Sequence, residues 1–439
     1  RKDRRIRSGH HSFFCNMNTL IQNTNILSMV DDKIKQSNIY IENGKIKKIG
    51  KLEDFKADKI IDGSNYITMP GFINAHTHVA MSYFRNYGDD NELFTWLNDY
   101  IFPVEAKLTE EIVYHASLLS FAEMIKTGTT TFADMYFFEE QTIKALDKAK
   151  LRAQISRGLE SPDPDDERIN ECIDLHKKYN GNNEKIEIAM GPHAVYTTDK
   201  EYLKKVAAIA KDNEIPIHIH LSETKFENEE CYKKYGQSPT EVFNECNIFH
   251  NRTIAAHGVH LSDKDIEILK DKNVSVIHNP SSNLKLSSGI CDVARLMEGG
   301  VNVALGTDSA SSNNKQSMLR EIEVASLISK LKAADNLKAF DVLKMATING
   351  AKALGIDDKV GTVEEGKCAD LIMIDIDNIN HIPQNNLIAS ICYSTYENDI
   401  SYVFVDGDLL YENGKYTYLD IEDIKKNARK LSKDLIWLA

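Results

Sequence analysis

Eight short runs of apolar and β-branched residues recur between positions 71 and 309, each followed by an amphipathic stretch, and this rhythm limits the fold more than any other feature. The runs are GFINAHTH (71–78), TTTFADM (129–135), RAQISRGL (152–159), IEIAMGPH (186–193), IPIHIHLSE (215–223), TIAAHGVH (253–260), VSVIHNP (274–280) and VNVALGTDS (301–309). Strand-length runs alternating with helical stretches are the pattern of repeated βα units, whose strands lie parallel. Eight such units close into a (β/α)8 TIM barrel, so the class is α/β. A stretch such as EEIVYHASLLSFAEMIKTG (110–128) spaces its apolar residues three and four apart and stops on a glycine, as a surface helix does. The connection from Val79 to Leu108 is long for a βα loop and rich in aromatics. It reads as a lid or pocket wall, with an extra packed helix as the alternative.

Both ends of the chain have a different texture. From Thr19 to Pro70, and again after about residue 360, short alternating strands are joined by turn residues, with Asn43-Gly44 and Asn413-Gly414 each set between apolar runs. The expected organisation is a small β-sandwich domain from residues 17–70 and 356–420. The barrel then occupies 71–355, and 421–439 form a C-terminal helix. Residues 1–16, with five basic residues and the pair His10-His11, read as appended sequence, a native basic arm being the alternative.

Composition narrows the partners. The chain of 439 residues carries a formal charge of −13, about −17 without the first sixteen (48 basic against 65 acidic), so a nucleic-acid polymer is not the expected partner. No apolar run is long enough for a membrane helix, and no secretory leader opens the sequence, which points to the cytoplasm. Seven cysteines at 15, 172, 231, 246, 291, 368 and 392 include no CxxC pair and read as reduced thiols.

In a TIM barrel the site is built where strands end, so the polar residues at those ends matter most. His76 and His78 are two apart on the first run, and a period of two points both imidazoles into the barrel mouth. An HxH alone reads equally well as a packed pair. The fifth, sixth, seventh and eighth runs add His220, His257, His278 and Asp308, and coincidence at five strand ends is not a sufficient account. Histidine and carboxylate donors suit zinc, with Fe2+, Mn2+ or Co2+ also compatible. Spacing does not decide which of these residues ligate.

The segments PGFINAHTH, HIHLSE, AAHGVH and GTDS, in this order, resemble the amidohydrolase superfamily over nearly the whole chain after Met17. Within it, GPHAVYTT and GTDSASSNN resemble the 5-methylthioadenosine/S-adenosylhomocysteine deaminases. The resemblance implies one divalent metal, zinc first, held by His76, His78, His220 and Asp308, and a hydrolytic attack at C6 of adenine. Glu223 then donates a proton to the ring, His257 orients the attacking water, and Asp308 passes a proton to the leaving ammonia. Two-metal members carry a lysine at the end of the fourth strand, where this chain has His193, a substrate-base contact. Trp96 offers area for a thioether or base face, Glu105 accepts a ribose diol, and Ser312 lies in the loop after the eighth run. Arg157 binds the carboxylate of a homocysteine tail or pairs with a protein carboxylate. A small nucleoside is the implied partner, and a homo-oligomer is compatible. The alternatives are guanine or triazine deamination, hydrolytic dechlorination, and a non-catalytic scaffold.

Overall fold

The computed structural model describes residues 17–51 and 55–437; the reading of residues 1–16 lies outside the described residues. The eight barrel strands are Phe72–His78, Thr129–Tyr136, Arg152–Leu159, Ile186–Pro192, Ile217–Leu221, Thr253–His257, Ser275–His278, and Val303–Leu305 continued by Asp308–Ser309. Each pairs in parallel with its neighbour, and Asp308 and Ser309 pair with Thr77 and His78, which closes the ring. Several strands stop short of the apolar runs that announce them because the backbone turns sharply at the strand ends. Ser222, His257 and Asp308 all have positive φ, at 47°, 78° and 59°.

The eighth strand is interrupted at Gly306-Thr307, where the Asn74 side chain takes over the pairing. Thr307 N donates to Asn74 Oδ1 at 2.9 Å, and Asn74 Nδ2 donates to Thr307 Oγ1 at 2.7 Å. A Cβ at position 306 would lie 2.9 Å from the His76 backbone nitrogen and 2.6 Å from Asn279 Oδ1, so only glycine lets the eighth strand close beside His76.

Helices cover the barrel. Glu110–Lys126 begins at Thr109, whose side chain accepts from Ile112 N, and packs on the helix Glu139–Ala149. The connection after the first strand consists of a 3-10 segment Val79–Phe84, a helical turn Leu93–Thr95, a π-helical segment Trp96–Ile101 and a turn Phe102–Glu105. The two readings of this stretch therefore meet: it is helical, and it forms a wall.

Strands from both chain ends join in one nine-stranded mixed sheet, the C-terminal strands on one side and the N-terminal strands on the other, meeting where Leu371–Asp375 pairs with Tyr66–Pro70. In order these are Lys415–Tyr416, Asp408–Glu412, Ile400–Val405, Leu371–Asp375, Tyr66–Pro70, Thr19–Leu27, Ile34–Glu42 and Lys45–Gly50, with Lys59–Asp62 paired to Thr19–Leu27. This small β-sandwich domain has a core of its own in which Ile21, Ile39, Ile46, Leu371, Met373 and Phe404 pack together. Asn43-Gly44 and Asn413-Gly414 form the expected hairpins, all four residues at positive φ. A Cβ on Gly44 would come within 2.7 Å of Asp406 O, so the two ends of the chain meet there only because position 44 is glycine. The sandwich is tied to the barrel by a buried bidentate pair, with Arg152 Nε and Nη2 donating to Asp370 at 3.0 and 3.2 Å. The helix Leu387–Tyr393 packs on the barrel helices Met318–Ser329 and Ala339–Met345, and Ile421–Trp437 packs on Glu110–Lys126. The six described cysteines are unpaired.

Candidate active site

The period of two does place His76 and His78 together. His76 Nε2 and His78 Nε2 lie 3.4 and 3.3 Å from Asp308 Oδ1, and His220 Nε2 is 3.3 Å from His78 Nε2. Donor atoms of His76, His78 and Asp308 lie within 4.8 Å of one another, and so do those of His76, His220 and His257. Each ring is held by its other nitrogen, which leaves Nε2 directed inward. His78 Nδ1 donates to Met135 O, and His220 Nδ1 donates to His193 O at 3.0 Å. A carbonyl only accepts, so both rings carry a proton on Nδ1, and Nε2 is the atom left to hold a cation or a proton.

His76 is fixed by a residue that sequence reasoning missed. Its Nδ1 is 2.7 Å from Nε2 of the fully buried His218, whose own Nδ1 is 3.1 Å from Ser156 Oγ. With a lone pair on His76 Nε2, the proton is on Nδ1 and His218 accepts it. The signal was available: His218 is two residues before His220 on one strand, the same HxH period that singles out His76 and His78. Asn283 was missed as well; its Oδ1 accepts from His257 Nδ1 at 2.8 Å.

Burial holds the rings neutral. It lowers His76 to about 4 and His193 to about 3, and takes His218 and His220 well below the ordinary histidine range. His78 goes the other way: burial opposes its charge, yet the Asp308 carboxylate raises it to about 9, and the histidines in turn hold Asp308 well below its usual range. The place occupied by that proton is where a cation belongs. His76 Nε2 is buried with no hydrogen-bond partner, inside a set of inward-facing imidazoles and one carboxylate, and this donor set fits a single divalent metal.

The expected acid lies beside the donor set. Glu223 is buried, Oε2 lies 3.6 Å from His257 Nε2, Oε1 accepts from Ser288 Oγ at 3.3 Å, and burial raises its pKa above the usual carboxylate range. A cavity opens over these groups. Its lining includes His78, His193, His220, Glu223, His257 and Asp308, together with Trp96, Glu105 and Tyr136. Glu105 Oε1 accepts from Tyr136 Oη at 2.6 Å, and burial raises the carboxyl to about 7. His193 donates or accepts through Nδ1 with Thr197 Oγ1 at 2.9 Å, which leaves its Nε2 for a ligand.

Two expected substrate contacts are placed elsewhere. Arg157 does not line the cavity; Nε donates to Glu171 Oε2 and Nη1 to Gly158 O, both at 2.6 Å, so the protein-carboxylate alternative is the one observed. The reason is strand parity: Ser156 points inward to His218, so Arg157 points outward to the helix Glu167–Tyr179. Ser312 is buried beneath the site, where it and Ser282 donate to Asp308 Oδ2 at 3.1 and 2.6 Å. These two hydroxyls hold the carboxylate so that Oδ1 faces the histidines. His278 is also off the cavity wall, although the strand-end pattern groups it with the others.

A family model described as "Amidohydrolase family" matches residues 67–410. The chain belongs to the amidohydrolase family. This amidohydrolase is 46% identical over 428 residues to a 5-methylthioadenosine/S-adenosylhomocysteine deaminase of Caldanaerobacter subterraneus subsp. tengcongensis, covering 96% of this chain and 99% of the relative. It is 42% identical over 423 residues to a 5'-deoxyadenosine deaminase of Methanosphaera stadtmanae, covering 95% and 98%. The solved structure of an adenosine deaminase from Xanthomonas campestris with bound zinc matches at a TM-score of 0.93 and 30% identity, covering 96% of this chain and 99% of that one. Amidohydrolases of this kind are metal-dependent hydrolases, and the donor set above is this member's candidate centre. Among the described residues no helix is long and apolar enough to cross a membrane.

Proposed function

We propose that this amidohydrolase deaminates the adenine ring of 5'-methylthioadenosine, S-adenosylhomocysteine and related adenosines, giving the inosine analogue and ammonia. One zinc ion at His76, His78, His220 and Asp308 is its cofactor. The observation that carries this reading is the pairing of Glu223 with His257, 3.6 Å apart, beside the inward-facing donor set and on the wall of a cavity. The names of the relatives above support the choice of an adenine nucleoside.

A metal held there supplies Lewis acidity, lowering the pKa of water from about 15.7 towards about 7. The rest is done by side chains. Glu223, whose pKa burial raises, donates a proton to ring N1 as water oxygen forms its bond to C6. His257 is held by Asn283 with Nε2 as an acceptor, so it orients the attacking water. Asp308 Oδ1 takes one proton of the water and gives it to the amino group, the C6–N bond breaks and ammonia leaves, and the oxygen's remaining proton returns to Glu223 as the C6 carbonyl forms. His193 Nε2 faces the base, Trp96 gives apolar area, and Glu105 accepts the ribose diol. Arg157 and Ser312 are left out of the substrate contacts. A free nucleoside substrate agrees with a cytoplasmic location.

Ammonia release is the test, with zinc-loaded protein and adenosine, 5'-deoxyadenosine, 5'-methylthioadenosine, S-adenosylhomocysteine, guanine and cytosine. Turnover of the adenine nucleosides is expected. No release from any of them, or faster release from guanine or cytosine, overturns the assignment.

A further inference from the structure

Among the described residues four carboxylates line the cavity, Glu105, Glu160, Glu223 and Asp308, and no lysine or arginine does. Three are committed. Asp308 is held by Ser282 and Ser312, Glu223 by Ser288, and Glu105 by Tyr136. The Glu160 carboxylate accepts no hydrogen bond and joins no ion pair among the described residues. Two guanidiniums stand behind it, each with other partners: Arg157 holds Glu171, and Arg168 Nη1 donates to the backbone oxygens of Glu160 and Pro162 at 3.0 and 2.9 Å. Burial raises the Glu160 pKa, so this wall holds an acid at a cost that nothing in the protein fully offsets.

Its place in the barrel suggests what offsets it. The reacting end is built by the first, fifth, sixth and eighth strands, whereas Glu160 directly follows the third, next to Gly158 and Phe137 on the same wall. If the base sits at the reacting end and the diol on Glu105, the 5' group of the ribose is left with the stretch bounded by Phe137, Gly158 and Glu160. We propose that Glu160 forms a cation subsite for the 5' substituent, favouring adenine nucleosides with an ammonium group there over neutral ones and rejecting 5'-phosphates. The proposal rests on the nucleoside reading above. It names the charge class that reading leaves open: the amino group of an amino-acid tail fits, and a phosphate meets a carboxylate with no cation on the wall to balance it.

The experiment compares 5'-amino-5'-deoxyadenosine, 5'-deoxyadenosine and adenosine 5'-monophosphate, an ammonium, a methyl and a dianion on one nucleoside. In wild-type protein kcat/KM for the amino compound should exceed that for 5'-deoxyadenosine about tenfold or more, the worth of one hydrogen bond to a charged group. In Glu160→Gln that ratio should collapse towards one while the monophosphate gains relative to 5'-deoxyadenosine. These opposite shifts are the signature, because a residue that only supports the wall would lower all three together. Unchanged ratios in Glu160→Gln, at wild-type metal content, overturn the subsite. If Glu160→Gln fails to fold, the wild-type ratio decides, and a value of one or less overturns it. Wild-type protein that deaminates none of the three overturns the nucleoside reading, and the subsite with it.

Discussion

His218 touches neither the cavity nor a candidate substrate, yet its removal should be visible in metal affinity. In His218→Phe the ring volume stays and the acceptor 2.7 Å from His76 Nδ1 is lost. His76 then has two poor choices. With its proton on Nδ1 the group is buried and unpaired, which costs about 1–3 kcal/mol. With the proton on Nε2, facing Asp308 Oδ1 at 3.4 Å, the ring cannot ligate. The metal-free protein can take the second tautomer and the metal-bound one must take the first, so the cost falls on binding. At 1.4 kcal/mol per tenfold change, 1–3 kcal/mol is about 5-fold to 150-fold, in line with the roughly 10–100-fold effect of losing a partner of a ligating histidine. Titration against a chromophoric zinc chelator at fixed pH measures it directly, without turnover. His218→Gln, whose amide oxygen can accept from His76 Nδ1, should recover most of the loss. If folded His218→Phe held zinc as tightly as wild type, the argument from the tautomer would be refuted.

Other outcomes follow from the same geometry. Glu223→Gln should keep its metal and lose about 10²–10⁴ in rate, the worth of a positioned acid, and near wild-type turnover would remove Glu223 from the mechanism. Glu105 should accept the ribose diol only when ionised, and burial raises it to about 7. For nucleosides kcat/KM should therefore rise with pH through a limb at or below about 7, since a bound cation lowers that value further, and free adenine should lack the limb; its persistence in Glu105→Gln would assign it to another group. Because Arg157 is engaged by Glu171, Arg157→Ala should lower turnover of 5'-methylthioadenosine and S-adenosylhomocysteine by the same factor, whereas a loss confined to the second would place it on the substrate.

How much of this could be read from the sequence depended on whether the signal was local. Alternation and apolar runs are properties of neighbouring residues, so the eight strands, both Asn-Gly hairpins and the inward-facing His76, His78, His220 and Asp308 were legible. For Arg157 the sequence left two readings open, because in RAQISRGL the alternation of Arg152, Gln154 and Ser156 with Ala153 and Ile155 stops at Arg157; the Ser156–His218 bond shows which face looks inward. Ser312 lay in a loop whose direction depends on a backbone turn, Asn313 N to Ser309 O at 3.0 Å, that brings it back under Asp308. The cavity wall was illegible for a different reason. Trp96, Glu105, Phe137 and Glu160 come together from three separate connections, and no periodicity joins them.

The wall containing Trp96 and Ile101 packs in one apolar cluster with Leu431 and Leu435 of the helix Ile421–Trp437. On a ribosome, every residue of the metal site and of the cavity lining is made more than a hundred positions before those two leucines. A growing chain can thus gather its histidines and Asp308 while the surface that shapes substrate still lacks its backing. Sequence changes near residues 431–435, remote from any reacting atom, should then be felt first as altered discrimination among nucleosides and only later as lost metal.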